Sequence, residues 1–160
     1  MRESPLEYTD IVFDAKPDAV PYNYRISYKV TQLCLIMRIC GRGDVCSLIK
    51  LHMISFALIS QENMRKLLEF TDGTGTAPIV RFDPSVNRAL TYSIAYGLIE
   101  QQPNAKYKLT ERGHHLAEQI KIAGDLMVIE IGNLNTLAKK LTEAKVNDIV
   151  DMWRMKNADN

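Results

Sequence analysis

The residues of this 160-residue chain with the strongest chemistry are its histidines, cysteines and glycine-rich stretches, and their spacing decides what they can do. The histidines are His52, His114 and His115. A helical zinc pair needs two histidines on one face, four positions apart. His114 and His115 are adjacent and point apart on a helix. His52 stands alone in an apolar stretch and reads as a hydrogen-bonded structural histidine. Cys34, Cys40 and Cys46 form no CxxC pair, and such an odd, spaced set reads as buried, reduced thiols of a cytoplasmic protein. Gly73-Thr74-Gly75 lacks the lysine and helix start of a phosphate loop. Arg42-Gly43-Asp44 matches a cell-adhesion tripeptide but sits where a helix stop and cap belong. No Ser-His-Asp set or carboxylate pair can be assembled. The residues therefore predict no catalytic residue, no metal site, no cofactor and no enzyme.

What remains is recognition chemistry. Asp83 as a cap and Pro84 in the first helical position start a helix over residues 84–96. Val86, Ala89 or Leu90, Ser93 and Ile94 take its buried stripe, leaving Asn87, Arg88, Thr91, Tyr92, Ala95 and Tyr96 outward. Arg88, Tyr92 and Tyr96 are spaced by four and form one ridge, a combination suited to a partner protein. Trp153, the single tryptophan, lies in an apolar tail and is a second partner-binding candidate. Arg81, Arg88, Lys106 and Lys108 are the candidate DNA contacts, suited to phosphates more than to base edges.

The elements that position these residues follow from the pattern. Residues 1–24 hold Pro5, Pro17 and Pro21, and predict an extended arm with a short strand near Tyr8–Phe13; a loose terminus and an arm packed on a partner both remain open. Residues 25–124 predict one domain. Helical spacing runs from Ile26 to Cys40 and stops at Gly41-Arg42-Gly43. Asp44 is expected to cap the next helix, and Ser60 opens a third. Ala77–Phe82 reads as strand-like. Gly97 ends the 84–96 helix, Leu98–Gln102 and Lys106–Leu109 form a hairpin about Pro103-Asn104-Ala105, and Thr110 caps the following helix. Residues 125–160 predict a C-terminal helical extension in segments 125–132, 135–141 and 142–156. Its apolar content leaves two uses open, packing back on the domain or forming a subunit interface. Helices, a helix ending in Gly-Leu-Ile, a hairpin and a helix opening Leu-Thr-Glu-Arg-Gly make the order of a winged helix, so the expected fold is mainly α with one β-hairpin wing.

Composition bounds the rest. The chain is 46% hydrophobic and 24% charged, which excludes wholesale disorder, and 20 basic against 19 acidic residues is no footprint of an obligate nucleic-acid binder. Residues 1–24 carry net −3 and residues 25–71 net +4, a mild asymmetry suited to protein docking. No apolar run reaches the roughly 20 residues of a membrane span, so no membrane partner is expected. The first residues have no apolar run behind them, so no secretory signal is expected.

Five stretches, taken in order, resemble a known family: Tyr28-Lys29-Val30-Thr31-Gln32-Leu33, Leu48-Ile49-Lys50-Leu51-His52, Ala95-Tyr96-Gly97-Leu98-Ile99, Tyr107-Lys108-Leu109-Thr110-Glu111-Arg112-Gly113 and Leu141-Thr142-Glu143-Ala144-Lys145-Val146. Together they look like the middle component of ABC-three-component systems, the group that includes Lamassu-type bacterial defence operons, over residues 20–153. The resemblance implies a non-enzymatic accessory subunit beside an SMC-like ATPase and an effector, often a nuclease. It also implies that double-stranded DNA is met through the complex. The competing expectation is a homodimeric winged-helix transcriptional regulator whose C-terminal helices serve as dimer arms.

Overall fold

A computed structural model describes residues 25–78 and 80–158; the expectations for residues 1–24 lie outside them. Among the described residues the chain forms seven α-helices: α1 (Ile26–Cys40), α2 (Leu48–Ala57), α3 (Gln61–Thr71), α4 (Pro84–Ala95), α5 (Glu111–Ala123), α6 (Val128–Leu137) and α7 (Glu143–Ala158). Helix α1 is the axis. Its apolar residues occur on every side, so it must be wrapped all round, and Leu33 through Met37 are buried without exception. Helices α2, α4, α5 and α6 lie against it, while α3 and α7 pack on α2. The exposed side of α3 carries Glu62, Arg65 and Glu69, with Arg65 bridging the two carboxylates along the helix.

The expected hairpin is present as β2 (Ile99–Gln102) and β3 (Lys106–Leu109), but it belongs to a three-stranded antiparallel sheet, not to a lone wing. The missing strand precedes both in the chain. Residues Val45–Ser47 pair with β3, in register Val45↔Lys108 and Ser47↔Lys106, giving the order β1-β3-β2 with Val45–Ser47 as β1. Three residues are too few to show an alternating pattern. Their presence also displaces the expected cap. Asp44 sits in a turn at φ 64°, its carboxylate 2.6 Å from His114 Nδ1 and 3.6 Å from Arg38 Nη1. Ser47 caps α2 instead, accepting from the Lys50 amide at 3.2 Å.

Two glycines are structural requirements at the base of the hairpin. Gly97 ends α4 at φ 75°, a conformation open to glycine at little cost. A Cβ on Gly113 would lie 2.1 Å from the Leu98 carbonyl oxygen, so only glycine lets α5 approach the start of β2. Thr110 accepts from the Gly113 amide and donates to the Gly97 carbonyl, closing the junction.

Other departures have equally local causes. The described part of 77–82 forms no strand, because no neighbouring strand offers it a partner. The break expected near Asn133-Leu134-Asn135 does not occur. Leu134 and Leu137 are both fully buried, and their packing carries α6 through the two asparagines. Leu141, Val146 and Ile149 join the same core as Leu33 and Leu51, so the extension packs back on the domain. Among the described residues no helix is long and apolar enough to cross a membrane.

Candidate docking surface

Helix α4 presents the ridge, and a partly buried polar cluster fixes its N-terminal end. The Asp83 side chain accepts from the Ser85 amide at 2.9 Å. The Asp83 amide donates to His52 Nδ1 at 3.3 Å, which leaves the imidazole proton on Nε2, 3.3 Å from Asn87 Oδ1. Burial lowers the His52 pKa, against the opposing effect of the Asn87 bond, and favours this neutral form. Lys29 enters from α1, its ammonium 3.3 Å from Ser55 Oγ and 4.0 Å from Asp83 Oδ2. Burial lowers its pKa and the Asp83 carboxylate opposes that. Burial pushes the Asp83 pKa up, but the Ser85 bonds and the Lys29 charge hold it below its ordinary value. The expected structural role of His52 is what the geometry gives. The Lys29 cluster is a feature that sequence reading missed, although a lysine and Gln32 three positions apart in an apolar helix were its signal.

Val86, Ala89, Leu90 and Ser93 face the core, as expected. Ile94 does not; it is 40% exposed. At 100° per residue it lies about 90° from the centre of the buried stripe, on the opposite edge from the tyrosines. Arg88 and Tyr92 are exposed, Tyr92 at 45%. Tyr96 is half-buried against the core and caps the helix, its carbonyl accepting from Arg112 at 2.9 Å. The two tyrosine rings lie 5.7 Å apart and tilted by 34°, an aromatic pair with one outer face in solvent. Phe82, 54% exposed, is a further aromatic at the start of α4. Its position just before the cap favours packing on an apolar residue in the first turn, but Asn87 stands there, so Phe82 leans on the His52 ring instead.

The four candidate DNA contacts are not gathered into one site. Arg81 lines a cavity with Met53, Phe56 and Arg65 between α2 and α3. Lys108 lines a groove rich in carboxylates, directly across the strands from Glu100. Lys106 lines a third cavity beside Arg42 and Lys139, and Arg88 is alone among charged residues on the outer face of α4. Trp153 is half-buried against the core, whereas Met152 and Met155 of α7 are exposed large apolar residues.

The thiols are chemically quiet: burial pushes Cys34, Cys40 and Cys46 each up to about 12. Among the described residues no group of three histidine, cysteine or acidic side chains is placed to hold a metal ion. Compared with protein-family models, curated proteins and solved structures, the chain matches none.

Proposed function

We propose that this chain is a non-catalytic, winged-helix accessory subunit of an SMC-like ATPase complex in bacterial defence, working in the cytoplasm. It docks on the ATPase through Arg88, Tyr92 and Tyr96, and positions or restrains an effector subunit. The observation that carries the reading is the exposed Tyr92, paired with the half-buried Tyr96, on a helix face with a single charge. A face entering a DNA groove needs several donors for phosphates and base edges. Aromatic area with one arginine is instead the composition of a protein interface. The strand order β1-β3-β2, with the hairpin directly after α4, supports the winged-helix assignment.

The regulator reading keeps one observation of its own: Met152 and Met155 are exposed on the terminal helix, where a dimer arm would present them. Co-expression with a coiled-coil ATPase and a nuclease encoded beside it separates the two. A stable complex, with no nuclease or ATPase activity in the isolated chain, supports the accessory role. A homodimer that protects one operator at high salt supports the regulator.

A further inference from the structure

A cavity of about 490 Å³ lies where the end of α1, the first residue of β3 and the start of α7 meet. Arg42, Lys50, Lys106 and Lys139 line it, against one acid, Glu143. The Glu143 carboxylate is already engaged, accepting from the Ser47 amide at 3.0 Å. Among the described residues no carboxylate comes within 4.0 Å of any of the four cations, whereas Lys29, Arg38, Arg65, Lys121 and Lys140 each have such a partner.

Lys50 distinguishes this cavity from a solvated patch of lysines. It is 3% exposed, and its ammonium donates to a single acceptor, the Cys40 carbonyl at 2.9 Å. Two of its three N–H donors have no acceptor among the described residues. Burying a charge in that state is costly unless a counter-charge completes it. Lys139 similarly donates only to the Ile39 carbonyl, at 3.2 Å. The two lysines thus close the C-terminal end of α1, as cations at helix ends do, with donors to spare. Arg42 and Lys106 make no such bond, so closing the helix does not account for them.

We infer that this cavity is a binding site for a phosphoryl group. A multiply charged anion with several acceptor oxygens matches three ammonium donors and a guanidinium fork. The volume accommodates the group together with what it is attached to. The site is independent of the α4 ridge and does not rest on the docking role.

The probes are inorganic pyrophosphate and a short DNA duplex, each titrated into the full chain at low ionic strength, with sodium chloride at matched ionic strength as control. Arg42→Gln and Lys106→Gln are the informative variants, because neither side chain supports α1. Pyrophosphate is expected to bind and to raise the melting temperature beyond the chloride control. Each variant should weaken it roughly tenfold, the scale of one charge-assisted bond, with the anion-free melting temperature unchanged. If duplex binds and pyrophosphate displaces it, the phosphoryl group belongs to a nucleic-acid backbone. Pyrophosphate binding without duplex binding assigns a small phosphate ester. Absence of binding by both probes, or variants that bind as the parent does, overturns the site.

Discussion

The outer face of α4 and the cavity beside β3 are built from opposite materials. The first is aromatic, almost free of charge and held by a partly buried polar cluster beneath it. The second is cationic and lined by side chains that leave donors unfilled. The contrast teaches that one small domain can separate affinity by area from affinity by charge. Contacts of the first kind respond weakly to salt, and those of the second strongly.

Both surfaces depend on the hairpin base, so the largest effect is expected there. Gly113→Ala places a methyl group 2.1 Å from the Leu98 carbonyl and must push α5 away from β2. A cost of about 3 kcal/mol, roughly 10 °C in melting temperature, is expected by thermal denaturation. A smaller effect separates the two tyrosines. Tyr96→Ala should lower stability by about 1–2 kcal/mol because the ring is half-buried against the core, whereas Tyr92→Ala should leave the melting temperature nearly unchanged.

The smallest effect tests the cluster beneath α4. The His52 pKa lies below its ordinary 6.5, so the unfolded chain takes up the proton first. Its contribution is fully present above about pH 6.5 and is lost as pH falls through the lower, folded-state value. His52→Gln should flatten the decline in melting temperature between pH 7 and about 5.5, a range above the depressed titration of Asp83. An unchanged slope would place the titrating group elsewhere.

Much of this arrangement is legible in the sequence where local chemistry decides it. Asp83 with Pro84, Gly97 and Thr110 each do what their residue types predict, and the ends of α4, β2 and α5 follow. Legibility fails where partners are distant in sequence. Val45–Ser47 is a strand only because Lys106–Lys108 lies beside it. Ile94 is exposed because no element covers its edge of α4, which periodicity alone does not reveal. Tyr92 and Tyr96 share a ridge in sequence, yet the fold buries half of one. The cationic cavity draws Arg42, Lys50, Lys106 and Lys139 from four separate stretches, so no local motif announces it.

The proposed docking of the α4 ridge on a coiled-coil ATPase has one direct test. The direct measurement is the affinity of the purified full chain for a candidate coiled-coil ATPase. It compares the parent with Tyr92→Ala, and uses Arg42→Gln combined with Lys106→Gln as the charge control. Tyr92→Ala should weaken binding by about 2 kcal/mol, roughly thirtyfold, with an unchanged circular dichroism spectrum and melting temperature, while the charge control binds as the parent does. Parent-like binding by Tyr92→Ala, or a loss accompanied by unfolding, would contradict the claim.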